Sequence, residues 1–362
     1  MKIGILTYHR VPNYGALLQA VATRVVLQEM GHDVYYVDYY PEYHRKRYKY
    51  FSTYDFKKCG LRGKIRYVIE CVKTFPYKRA RKRNFELFIK REIEPYCRPM
   101  YECYDVIVYG SDQIWRKQAE SGTFNPLYFG GMLPAKKHIA YAASMGNMVL
   151  SSTEKELLKK LVLNLDGIGV REVGLQTLLE GIHINNVIQV LDPTLLISAS
   201  KWDMIIPTMK FSKKYLLYYS LMSGSFDESL IYDFAKKNNW EVIRLVGTAT
   251  KKNTYHLRTS AGPDEFLNLI RNAEYVFTSS FHGLVFSILY HKQFFTSFKT
   301  NAQRAESILS SLGLYERLLS PMCKSLPVVT NINYSDVDKK IVELREPSLK
   351  YLKKYCHESK TR

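Results

Sequence analysis

At 362 residues the chain exceeds what one hydrophobic core usually supports, so two domains of ordinary size are expected. Its 46% hydrophobic and 24% charged residues match a folded soluble protein, and no apolar run approaches the roughly 20 residues of a membrane-spanning helix. A formal charge of +19 directs attention to acidic partners: nucleic acid, anionic lipid or phosphorylated substrates.

The opening Met1–Leu6 carries one basic residue and an apolar stretch far too short for a signal peptide. Six cysteines without Cys-x-x-Cys pairing give neither a zinc site nor a disulfide framework, and a reducing cytoplasm is expected. Ile3–Leu6 reads as a strand, His9–Gly15 as a loop, Ala16–Met30 as a helix stopped at Gly31, and Asp33–Asp38 as a second strand. That order is a βαβ unit, whose crossover makes its strands parallel neighbours. Residues 41–100 interrupt it with Tyr-, Lys- and Arg-rich sequence, predicted helical over Leu61–Lys73 and Lys78–Ile93. Between Arg45 and Arg98 stand 18 Lys and Arg against five acids.

Alternation resumes with strands near Asp105–Tyr109, His138–Ala142, Gly167–Arg171 and Val187–Leu191, and Ser151 with Glu154 forms a capping box. Asp192-Pro193-Thr194 ends that series, and the stretch to Pro207 has no persistent period, so the domain boundary is placed there. A second series has strands at Tyr215–Leu221, Glu241–Val246, Tyr275–Thr278 and Gln293–Ser297. Its helices fall near Asp227–Asn238, from Pro263, from about His282 and around Ala302–Ser311; Val246 to Gly262 reads as loop, and a last helix covers Asp336–Tyr355. The expected fold class is therefore α/β, with two doubly wound Rossmann-like domains facing a central cleft. Residues 1–200 form the first, with the basic helical insertion at about 41–100; residues 208–330 form the second, and 331–362 a helix and tail.

Open α/β sheets bind ligands where strands end. Thr278 to Gly283 lies at such a point, and His282 there would gain its proton when an anion binds beside it at the helix start. Capping or packing is the competing role for this histidine. Arg171 ends another strand and could clamp a carboxylate or phosphate, or else pair with Glu172 at the surface. Gly110 to Trp115 follows a third strand. Asp112 or Gln113 could hydrogen-bond sugar hydroxyls, against a plain turn with a core Trp115. Lys299, Asn301 and Arg304 cluster before a helix and could neutralise a phosphate. The loop His9–Gly15 lacks a dinucleotide fingerprint and a Walker lysine, and no group of residues has metal-ligand spacing.

Asn13-Tyr14-Gly15, Gly110-Ser111-Asp112-Gln113-Ile114-Trp115, Val170-Arg171-Glu172, Asp192-Pro193-Thr194 and Ser280-Phe281-His282-Gly283 together resemble the polysaccharide pyruvyl transferase family, from the first strand to about Arg317. The resemblance implies a fold similar to the two-Rossmann (GT-B) glycosyltransferases. It implies transfer of the enolpyruvyl unit of phosphoenolpyruvate to a sugar, of galactose type, as a pyruvate ketal, with no further cofactor. It carries the general acid to His282 and the donor arginine to Arg171, places Lys299 or Arg304, with Ser280 and Gly283, at the donor, and leaves Asn13, Asp112 and Gln113 to the acceptor. Many members have arginine where this chain has Ser280, so donor binding there must come from elsewhere. The basic insertion suggests an anionic membrane surface as partner, at the inner face of the membrane, with a lipid-linked acceptor, against a solvated helical face that serves solubility. The rival readings are a sugar-nucleotide glycosyltransferase using the same cleft and a non-catalytic binder of anionic polymers; no recognisable motif supports nucleic acid.

Overall fold

The computed structural model describes residues 1–49, 51, 56, 60–118, 121–246, 256–300 and 302–357. Two parallel sheets organise them. The first has seven strands: β1 (Lys2–Leu6), β2 (Asp33–Val37), β3 (Cys97–Arg98), β4 (Tyr104–Gly110), β5 (Ala135–Ala143), β6 (Gly167–Val170) and β7 (Val187–Gln189). Their spatial order is β3-β2-β1-β4-β5-β6-β7. The second has five: β8 (Tyr215–Ser220), β9 (Glu241–Val246), β10 (His256–Arg258), β11 (Tyr275–Thr278) and β12 (Gln293–Thr296), ordered β10-β9-β8-β11-β12. Each sheet reverses its order beside its first strand, and that switch point, between β1 and β4 and between β8 and β11, is where doubly wound sheets open a crevice.

Burial explains why these segments are strands. Ile3, Ile5, Val106, Ile107, Val108, Val276 and Phe277 are wholly buried, as strands covered by helices on both faces must be. The helix Tyr14–Glu29 after β1 is buried along almost its whole length, because it is wedged between the two sheets. Its Tyr14 stacks on Phe266 of the second half, ring centroids 4.5 Å apart, and donates a hydrogen bond to the Ala261 carbonyl. The capping box forms as the sequence predicts, Ser151 accepting from the Glu154 N–H and Glu154 from the Ser151 N–H.

Four local expectations change. In place of separate helices over Leu61–Lys73 and Lys78–Ile93, the basic insertion has a single helix, Leu61–Glu92, that runs through Pro76, and a short helix, Glu42–Arg47, precedes it. The missing N–H frees a carbonyl one turn back, at Val72, whose side chain is exposed; water there can satisfy it. The insertion also returns an edge strand, β3, to the first sheet. The loop to Gly262 contains β10, which pairs parallel to β9. Finally, Ala199–Ile205 is a short helix, capped by Ser198 and anchored by the buried Trp202.

Two connections hold the halves together beyond the chain between the sheets. In the Leu61–Glu92 helix, Arg91 makes a bidentate pair with Asp264, and Asn84 donates to the Ser260 carbonyl. The final helix, Tyr334–Tyr355, returns to the first sheet, where Tyr351 donates to the Ala140 carbonyl and Arg345 to the carbonyls of Leu195 and Ile197.

Candidate active site

His282 lies in the first turn of the helix Phe281–Leu289, directly after β11 at the second switch point. Ser280 caps this helix by accepting from the Gly283 N–H. A Cβ on Gly283 would come within 2.3 Å of Thr278 Oγ1, so the turn closes only around glycine. The imidazole points across to the first domain and fills the space beside Gly15, in the helix start after β1. Sequence positions 15 and 282 thereby meet at the two switch points.

On its other side the ring faces Asp192, with Nε2 3.6 Å from Oδ2, an ion-pair separation without a hydrogen bond. Asp192 is fully buried after β7. Its Oδ2 accepts from Arg171 Nη1 at 2.7 Å, and its Oδ1 from the backbone N–H and hydroxyl of Thr194. Burial alone would raise this carboxyl; His282, Arg171 and Thr194 outweigh it and hold it well below the usual carboxylate range.

Arg171 is thus no surface partner of Glu172. Both are buried, with Glu172 accepting from Ser144 Oγ and lying 3.5 Å from Arg171 Nε at ion-pair range. Arg304, in the first turn of the helix Gln303–Leu312, approaches the same Glu172 at 3.8 Å. The guanidiniums of Arg171 and Arg304 lie 5.4 and 5.0 Å from the centre of the Phe281 ring. Burial, then the charge of Arg171, lowers the Arg304 guanidinium to about 10, still protonated at neutral pH. Arg171, Asp192, Phe281 and Arg304 line a cleft with room of about 120 Å³. Arg171 Nε and Nη2 and Arg304 Nε are buried there without a hydrogen-bond partner, and His282 Nε2, which faces Asp192 beside the cleft, likewise lacks one. Two guanidiniums and an imidazole with spare donors can hold a multiply charged anion and pass it a proton.

The remaining predicted residues are placed as follows. Asn13 caps the helix Tyr14–Glu29 by accepting from the Ala16 N–H. Asp112 adopts a left-handed backbone, φ 66°, and accepts from the Gln113 N–H. Gln113 accepts from Arg116 and packs under Gly146, while Trp115 is a core residue stacked on Phe129. All three polar residues follow β1 or β4, at the first switch point. Lys299 is exposed and lies over Gly224 in the loop after β8, and Asn301 lies outside the described residues.

In the sequence Asp192 ends a strand and belongs to a family motif, with no role in the site assigned to it. The signal was available: β6 and β7 are adjacent parallel strands roughly 4.8 Å apart, so an arginine leaving one and an acid leaving the next come together. Away from the cleft, a ring nitrogen of His9, the Asp38 carboxylate and Cys97 Sγ lie within 4.8 Å of one another near the ends of β1, β2 and β3. These are metal-ligand types that linear spacing does not reveal. Arg10 already pairs with Asp38 at 2.6 Å, and burial pushes the Cys97 thiol up to about 11, so the group reads as an ion-paired shelf.

The family model described as polysaccharide pyruvyl transferase matches residues 13–297, which include Gly15, Arg171, Asp192 and His282. The chain belongs to the polysaccharide pyruvyl transferase family. No curated protein matches this family member. Among solved structures it is similar to the UDP-GlcNAc 2-epimerase of Methanocaldococcus jannaschii, at 13% identity and TM-score 0.46 over 96% of this chain and 93% of that one. The Neisseria meningitidis UDP-GlcNAc 2-epimerase bound to UDP-GlcNAc gives 11% and 0.43 over 97% and 94%. An alpha-glucosyltransferase in complex with UDP gives 9% and 0.48 over 98% and 96%.

Gly15 is the small residue of this pyruvyl transferase family site against which the imidazole itself packs. An alanine Cβ there would stand 2.0 Å from His282 Nδ1, which no rotamer-preserving adjustment accommodates. Gly15→Ala is therefore expected to turn the imidazole out of place, with turnover falling at least about tenfold while the circular dichroism spectrum is kept. Unchanged turnover would show that the ring position is immaterial.

Proposed function

We propose that this chain transfers the enolpyruvyl group of phosphoenolpyruvate to two hydroxyls of a sugar, of galactose type, forming a pyruvate ketal for a surface polysaccharide. The observation that carries this reading is the convergence of His282 and Arg171 on Asp192, beside the cleft that the spare donors of Arg171 and Arg304 line. It rests also on membership of the family.

His282 gives its proton to the methylene carbon of phosphoenolpyruvate, and the central carbon becomes cationic. A sugar hydroxyl adds to that carbon and releases its proton to the imidazole. Phosphate then leaves, and a second hydroxyl closes the ring, its proton departing with the phosphate. The products are one ketal and one inorganic phosphate. Arg171 and Arg304 face the carboxylate and the leaving phosphate. Arg304 supplies the cation that Ser280 does not, since its guanidinium shares the Phe281 ring with Arg171. Asp192 is the resident counter-charge for the imidazolium. Asn13, Asp112 and Gln113, across the cleft, are assigned to the acceptor.

Incubation with phosphoenolpyruvate and a panel of nucleotide-linked and lipid-linked galactosides should release inorganic phosphate and add a methyl ketal to the sugar. Release of nucleotide from a UDP-sugar, with phosphoenolpyruvate untouched, would replace this reading by the glycosyltransferase. Arg304→Gln should raise KM for phosphoenolpyruvate about tenfold or more, by loss of a charge-assisted contact. An unaltered KM would remove Arg304 from the donor site.

A further inference from the structure

The helix Leu61–Glu92 has two unlike halves. Phe85, Phe88 and Ile89 of its second half are buried in the core, and Arg81, Asn84 and Arg91 tie that half to Tyr14, Ser260 and Asp264 at the junction of the domains. The first half carries its apolar residues outward. Leu61, Ile65, Val68, Ile69 and Val72 are 82, 61, 42, 46 and 69% exposed. At 3.6 residues per turn these five fall within an arc of about 100° and run about 17 Å along the axis. A contiguous aliphatic stripe of that kind is uncommon on the free surface of a monomer.

Charge selects what covers it. Residues 61–83 contain nine Lys and Arg and one acid, Glu70. Arg62, Arg66 and Lys73 border one side of the stripe, and Arg79 and Arg83 continue its line towards the core-bound half; all five are exposed. A second copy would bring two such basic faces together and be repelled. An apolar face bordered by cations is the pattern of a helix lying in the plane of a membrane interface, with its apolar side roughly 5–10 Å below the headgroups. Among the described residues no helix is long and apolar enough to cross a membrane, so contact of this kind is peripheral.

We infer that the stripe from Leu61 to Val72 docks on an anionic lipid bilayer. Basic residues near such a surface add to the apolar insertion, and neither contribution alone gives firm attachment. The second half of the same helix is fixed beside Tyr14, so docking holds the cleft close to the lipid headgroups. The docking itself stands apart from the chemistry proposed for the cleft.

The test is cosedimentation of the full chain with vesicles of phosphatidylcholine, with and without phosphatidylglycerol. The partner variant is Ile65→Ser with Val72→Ser, two exposed positions whose change leaves net charge and core untouched. The wild type should bind the phosphatidylglycerol vesicles preferentially, more weakly as salt rises, and the double variant should bind at least about tenfold less. Its phosphate release from phosphoenolpyruvate with a soluble acceptor should be unchanged, which separates failure of docking from failure of catalysis. Equal binding to both vesicles overturns the inference, as does a double variant that binds like the wild type. A concentration-dependent dimer in sedimentation velocity that the double variant abolishes also overturns it, in favour of a second copy.

Discussion

Asparagine in place of His282 is expected to lower turnover about 10²- to 10⁴-fold, the range that a positioned proton donor contributes. Asparagine is close in size and polar, so the packing against Gly15 and the helix start survive, while the group no longer carries a transferable proton near neutral pH. Donor affinity should change little, since Arg171 and Arg304 remain. The expected pattern is a fall in kcat with KM for phosphoenolpyruvate within a few-fold of wild type, followed by phosphate release. Solvent deuterium should enter the ketal methyl group in the wild type and be lost in step with turnover in the variant. Near-normal turnover would mean that the proton comes from elsewhere.

Asp192→Asn should be the most destabilising single change in the cleft. The wild-type carboxylate is fully buried against Arg171 at 2.7 Å, and its removal leaves that buried guanidinium with the longer 3.5 Å pairing to Glu172, at a cost of about 3 kcal/mol. The pH dependence has a definite sign. The folded carboxyl is held far below its unfolded value near 4, so its stabilisation is whole above about pH 4 and declines as pH falls further towards the depressed value. Urea unfolding should therefore show a large gap between wild type and variant at pH 7, with the gap narrowing below pH 4. A gap that is small at pH 7, or that widens in acid, would contradict the buried pairing.

The doubly wound architecture was legible because its strands are short apolar runs between helical periods, as in Val106–Val108 and Val276–Thr278, and parallel crossovers leave few topologies. The anion-binding side of the site was legible at Arg171, whose strand-end position is visible in the chain. Asp192 was less so, because its importance lies in a neighbour 21 positions away that only the sheet brings near. Gly15 was noted within a motif, yet its reason, a ring from position 282, is a contact between domains that no local pattern encodes. The single helix through Pro76 was misjudged for a different reason. Proline costs an internal hydrogen bond, and whether the chain breaks depends on whether the freed carbonyl meets water, a property of exposure.

The return of the last helix to the first sheet constrains how the molecule can move. The polypeptide passes between its halves twice, once near residues 190–215 and again within the final helix, whose Asp338 and Lys340 bind the second half and whose Arg345 and Tyr351 bind the first. Any opening of the crevice has to flex both strands of chain at once, so the halves swing about the line through the two crossings, as a door does on a pair of hinges, and cannot twist freely about either one.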